Sequence, residues 1–89
     1  MITLSDVEAA RERLGSNIRR TPMIRADNLS APITEASLTL KLECLQVTGS
    51  FKARGATNRL LATPRAELAR GIVTASGGNH GVAVARTGR

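Results

Sequence analysis

Two short segments of this 89-residue chain hold residue types whose spacing could do chemistry. The first is Thr48-Gly49-Ser50-Phe51-Lys52, the second Ser76-Gly77-Gly78-Asn79-His80-Gly81. Each reads as a small-residue turn running into the start of a helix. Free backbone N–H groups and the helix dipole make such a place a candidate anion site. Lys52 sits in the first helical turn, where a cation opposes the dipole by about 0.3–1 kcal/mol. A neutral lysine amine is a nucleophile that condenses with an aldehyde. The same position also suits a lysine turned into solvent. Asn79 serves equally as a plain helix starter, His80 as a packed or capping histidine, and Gly77 and Gly78 as turn formers. The glycine turn is neither a Walker loop nor a dinucleotide fingerprint.

The elements that must position these residues follow from caps, stops and periodicity. Ser5-Asp6-Val7-Glu8 has the spacing of a capping box. Val7, Ala10 and Leu14, with Ile18 beyond, then form a helical stripe, and Gly15 is a stop signal, so an amphipathic helix is expected over 6–14. Thr21-Pro22 excludes further helix. Residues 21–36 read as irregular, with Asn28, Ser30 and Pro32 as turn formers. Residues 38–43 alternate strictly and predict a strand with Leu38, Leu40 and Leu42 on one face. Ser50 is a good cap for a helix from Phe51 to about Leu61. Pro64 opens a short helical turn that Gly71 ends. Ile72-Val73-Thr74-Ala75 predicts a second strand. Asn79 starts a helix carrying Val82, Ala83 and Ala85, with Gly88 as its stop. Strands alternating with helices predict a parallel α/β arrangement, with both loops at the carboxyl ends of the strands, where ligands bind. Two strands cannot complete a parallel sheet, which needs covered faces and neighbours at its edges. The chain is therefore expected to be incomplete as a domain.

Composition narrows the function classes. At 42% apolar and 22% charged residues the chain is neither disordered by composition nor membrane-like. One Phe with no Tyr or Trp leaves Leu, Ile, Val and Ala as core filler, which suits part of a larger α/β core. The net charge of +6 comes from 13 basic and 7 acidic residues. The arginines are spread along the chain with no aromatics between them for base stacking, which argues against a nucleic-acid partner. The single cysteine, Cys44, excludes an internal disulfide framework and a cysteine-based zinc site, so no metal is expected, and it suits a reducing cytoplasm. No signal peptide and no transmembrane stretch is visible.

Lys41-Leu42-Glu43, Gln46 and the run from Thr48 to Ala56 together resemble the lysine motif of the threonine/serine dehydratase family of pyridoxal-phosphate enzymes. The run from Ser76 to Ala85 resembles that family's second motif. Ile18 to Pro22 resembles its N-terminal segment, so the resemblance covers essentially the whole chain. It implies fold type II, a tryptophan-synthase-β-like arrangement of parallel sheet layers with covering helices. It implies pyridoxal 5'-phosphate as cofactor, held by Lys52 through an imine, with Lys52 then moving the substrate's α-proton. Phe51 would pack beside the cofactor ring, and Asn79 would hydrogen-bond its hydroxyl oxygen. Ser76, with the backbone N–H groups of Asn79 and His80, would grip the carboxylate of a small amino-acid substrate. The implied reaction is β-elimination from L-threonine, L-serine or a related 3-hydroxy amino acid, giving a 2-oxo acid and ammonia.

The same resemblance implies that residues 1–63 begin a large cofactor-binding domain and that 71–89 begin a smaller substrate-binding domain. It implies a cytoplasmic enzyme, homo-oligomeric at full length, whose cofactor-phosphate loop lies beyond Arg89. The 89-residue chain alone is expected to be inactive. Two related activities stay in view: a serine racemase-like reaction and a β-replacement. Related racemases carry a second serine where this chain has Gly77, which cannot exchange protons, and the cysteine-synthase branch lacks the Phe-Lys-x-Arg-Gly-Ala run. Two readings from other classes are a catalytically dead remnant and a basic nucleic-acid module.

Overall fold

The computed structural model describes residues 1–27 and 30–89; Asn28, expected as a turn former, lies outside the described residues. Helix α1 covers Leu4–Leu14 and starts two residues earlier than expected. Its cap is Thr3, not Ser5. The Thr3 hydroxyl accepts from the Asp6 backbone N–H at 3.3 Å, and the Asp6 carboxylate accepts from the Thr3 N–H at 2.8 Å. Thr3…Asp6 and Ser5…Glu8 are overlapping boxes in the sequence. The earlier one wins because it adds half a turn of helical bonds and leaves Ser5 as a neighbour of the cap, 2.8 Å from the Thr3 hydroxyl. Gly15 ends α1 in the left-handed region, at φ 44°. Ile18 lies past that end in extended backbone.

The segment expected to be irregular contains strand β1, Met23–Arg25, which pairs antiparallel with β2, Thr39–Lys41. The register is Met23 with Lys41, Ile24 with Leu40 and Arg25 with Thr39. Two further bonds extend the pairing, Ala26 N–H to Leu38 C=O and Leu42 N–H to Pro22 C=O, each 2.9 Å. The expected strand over 38–43 is thus shortened to three residues, and Glu43 opens a 3-10 turn, Glu43–Leu45. The expected parallel layers are not seen among the described residues. The two strands of the described residues run antiparallel, and residues 72–75 are unpaired and exposed. Ile72 and Val73 have strand propensity, but among the described residues no neighbouring backbone bonds to them, and propensity without a partner does not make a strand.

Helix α2 covers Lys52–Ala62, α3 Arg65–Leu68 and α4 Asn79–Thr87. The Ser50 hydroxyl accepts from the Lys52 N–H at 3.3 Å, as a cap should, although Phe51 is the residue that enters the helix from helical backbone angles. Pro64 stands just before α3, Gly71 leaves it at φ 86°, and Gly88 closes α4 with a 2.9 Å bond to Val84 C=O.

Among the described residues the buried apolar ones are few: Leu14 and three small residues, Ala53, Ala56 and Ala83. Helices α2 and α4 pack together; Ala53, Ala56 and Thr57 are buried on α2 and Ala83 on α4, and the Thr57 and Thr87 hydroxyls stand 3.3 Å apart. Small side chains let the two backbones approach closely, so α2 and α4 form the centre of the molecule. Larger apolar side chains remain outside, with Phe51 60% and Val73 98% exposed. The Cα radius of gyration is 16.2 Å, against about 12 Å for a compact domain of this length. The described residues thus form a frame around α2 rather than a closed core.

Candidate functional site

The lysine of the first loop is delivered by a tight reversal between β2 and α2. Thr48 and Gly49 take consecutive left-handed conformations, at φ 64° and 80°. Glycine adopts this freely, but a β-branched threonine there costs about 1–3 kcal/mol. The Thr48 hydroxyl oxygen is also buried with no hydrogen-bond partner among the described residues. Such a turn persists only when its surroundings over-determine it.

Two clasps do so. Gln46 is 2% exposed and grips the backbone of Arg19 from both sides. Its side-chain oxygen accepts from the Arg19 N–H at 2.8 Å and from the Val47 N–H at 2.9 Å, and its amide donates to the Arg19 C=O at 2.8 Å. The second clasp is ionic. Arg54 donates through Nε to Glu43 Oε2 at 2.8 Å and through Nη2 to Glu43 Oε1 at 2.7 Å. The Thr21 hydroxyl donates to the same carboxylate, and Lys41 Nζ lies 3.9 Å from it. The Glu43 side chain is only 17% exposed. The Arg54 hydrogen bonds, helped by Thr21, hold its carboxyl down at about 2. Glu43 is therefore a fixed anion at neutral pH and not a general base.

Lys52 is the first residue of α2 and is exposed, its ammonium 5.1 Å from the centre of the Phe51 ring. Among the described residues no carboxylate lies within ion-pair distance of it. Lys52 lines a groove of about 620 Å³ between α2, α3 and residues 71–84. Phe51, Lys52, Gly55, Leu60, Ile72 and His80 are among its walls. The structure thus brings Phe51, Lys52 and His80 to one groove, while Ser76 and Asn79 stand outside its lining. Asn79 and His80 open α4, both exposed, and no side chain caps that helix. The Ser76 hydroxyl accepts from the Gly78 N–H at 3.2 Å and bends the loop into the helix.

Gly81 fixes the distance between that loop and α4. A Cβ added there would come within 2.5 Å of the Ser76 carbonyl oxygen. The loop can lie against the first turn of α4 only because position 81 has no side chain. Glycine inside a helix otherwise costs about 1 kcal/mol, and that cost is the sequence signal for Gly81. Glu43, Gln46 and Arg54 enter the sequence reading only as motif members. Their partners lie 11 to 27 residues away, beyond the reach of local spacing. Among the described residues no cluster of three His, Cys, Asp or Glu side chains could hold a metal ion, and no helix is long and apolar enough to cross a membrane.

Residues 14–89 match the sequence family described as pyridoxal-phosphate dependent enzyme. Over all 89 residues the chain is 44% identical to proteins named L-threonine dehydratase catabolic TdcB from Staphylococcus aureus strains N315 and Mu50. It is 43% identical to the protein of that name from strain USA300. These matches cover 100% of this chain and 26% of each relative, so the chain spans about a quarter of the length of the curated relatives it matches. No solved structure matches the chain.

Proposed function

Because the chain belongs to the family of pyridoxal-phosphate-dependent enzymes, we propose that its protein is a lyase that deaminates L-threonine, L-serine or a related 3-hydroxy amino acid. The observation that carries this reading is the exposed amine of Lys52 at the head of α2, free of any carboxylate among the described residues and flanked by an aromatic ring on an open groove. The relatives named threonine dehydratase supply the substrate class.

The residues fit the group. A free amine suits an aldehyde, the Phe51 ring offers an apolar face to a flat heterocycle, and a Cβ at Gly55 in the groove wall would meet nothing within 4 Å. When bound, pyridoxal phosphate supplies the aldehyde that Lys52 holds and an electron sink for the bond broken at Cα. Lys52 would be the base that accepts the substrate's α-proton. Asn79 would help hold the cofactor, its side-chain amide donating to the ring hydroxyl oxygen. The Ser76 hydroxyl and the uncapped N–H groups of Asn79 and His80 hold the substrate carboxylate, in line with the anion preference of a helix start. The α-proton and the β-hydroxyl leave as water, and the enamine that remains hydrolyses to a 2-oxo acid and ammonia.

We place these residues in a fold type II architecture whose parallel layers would be built around this frame. The domain boundary falls between residues 63 and 71, where Pro64 and Gly71 bracket α3. We also place the enzyme in the cytoplasm, a reducing compartment that suits the exposed Cys44 of this chain, and take it to be a homo-oligomer. The test uses the protein expressed from its complete reading frame. Wild type loaded with pyridoxal phosphate should show the visible absorption band of lysine-bound cofactor and release ammonia from L-threonine. Lys52→Ala should lose both, and a persistent band in that variant would overturn the assignment.

A further inference from the structure

We infer that the Glu43–Arg54 ion pair is the positioning device for Lys52: it pins the start of α2 across the left-handed turn and so sets where the amine stands. The inference rests on the reading of Lys52 as the cofactor lysine.

Four observations carry it. First, Arg54 lies two residues after Lys52 in the opening turn of α2, so a movement at Arg54 is a movement of Lys52. Second, Glu43 lies on the other side of the reversal, beyond the strained Thr48–Gly49 pair. The pair therefore closes the loop that delivers the lysine, from end to end. Third, the contact is bidentate and largely covered, with side-chain exposures of 17% for Glu43 and 33% for Arg54. A planar guanidinium fork fixes direction as well as distance, which a lysine ammonium does not. Fourth, the first turn of α2 carries the cations Lys52 and Arg54 and no acid of its own. Glu43 supplies from another element the negative charge that a helix start favours. Its two oxygens are taken up by Arg54, Thr21 and the nearby Lys41, which leaves Lys52 without a carboxylate partner among the described residues. Glu43 and Arg54 act through Lys52 and are not themselves catalytic.

The test compares wild type, Glu43→Gln, Arg54→Lys and the double variant, all made as the complete protein without cofactor. Amide hydrogen exchange is followed over residues 46–53. Each single variant should speed exchange there by about tenfold or more, the effect of losing a charge-assisted pair. Arg54→Lys should fail to rescue, because charge without the fork is not enough. The double variant should be no faster than the faster single one. Unchanged exchange at 46–53, an equal rise across α1 and α4, or single effects that simply add in the double variant would each overturn the clamp. After loading with cofactor, each single variant should show a weaker band of lysine-bound cofactor at saturation than wild type; a band of full strength in both would count against the clamp. Lys52→Ala, run alongside, addresses the lysine reading alone. A persistent band there sinks that reading, whereas the exchange pattern decides the clamp.

Discussion

Gly81 gives the sharpest test of how the second loop is held. In a helix interior, alanine in place of glycine gains about 1 kcal/mol from propensity. At position 81 the added Cβ would stand 2.5 Å from the Ser76 carbonyl oxygen and 3.4 Å from its carbon. The obstacle is backbone, not the end of a flexible side chain, so either the Ser76 peptide or the first turn of α4 has to move by about 0.5–1 Å to restore ordinary contact. Overpacking of this kind costs about 1–3 kcal/mol, which more than offsets the propensity gain in most of that range. The net expectation for Gly81→Ala is a loss of about 0–2 kcal/mol with displacement of residues 76–79. Gly55→Ala in α2 is the control. A Cβ there meets nothing within 4 Å, so this variant should gain about 1 kcal/mol. Thermal unfolding of the two variants in the complete protein, with hydrogen exchange at residues 76–80, reads the difference. If Gly81→Ala proves as stabilising as Gly55→Ala and leaves exchange at the loop unchanged, the close approach of Ser76 to α4 does not govern the loop.

Three further outcomes follow from the first loop and its supports. Gln46→Ala should cost about 1–3 kcal/mol in urea unfolding, because it strips three hydrogen bonds from a buried site and leaves the Arg19 backbone groups without partners. Glu43 has its folded-state pKa lowered to about 2 from an ordinary 4.5, so it binds protons more weakly folded than unfolded. Its contribution is therefore present above about pH 4.5 and is lost as pH falls toward 2. Asp6, held down by the Thr3 N–H, titrates in the same sense, so Glu43→Gln should flatten but not abolish the acid decline of stability. Thr48→Gly should stabilise the protein by about 1 kcal/mol by relieving the left-handed threonine, as judged from the thermal midpoint.

The residues that announce local structure were legible from the sequence alone. Gly15, Gly71 and Gly88 stop helices where glycine's freedom or its lack of a side chain suits a stop, and Ser50 offers its hydroxyl to the helix that Lys52 begins. The turns that lead into α2 and α4 were also legible, because a small-residue turn before a helix leaves a local signature. What escaped the sequence depends on partners far along the chain. Met23–Arg25 is too short for a period of two to register, and it becomes a strand only because Thr39–Lys41 pairs with it. Ile72–Ala75 shows the converse, since β-branched residues signal a strand but cannot supply its neighbour. The overlapping boxes at Thr3 and Ser5 differ only in which one adds helical bonds. Glu43, Gln46 and Arg54 look like ordinary polar residues until the chain folds back and each meets its partner.

In the proposed function Lys52 is the amine that takes the cofactor. This chain contains two lysines, Lys41 and Lys52, which makes the claim open to direct chemical mapping. The complete protein, loaded with pyridoxal phosphate and reduced with borohydride, should yield after proteolysis a peptide in which the reduced cofactor is fixed on Lys52. Label on Lys41, on a lysine elsewhere in the protein, or on no lysine at all would contradict the account.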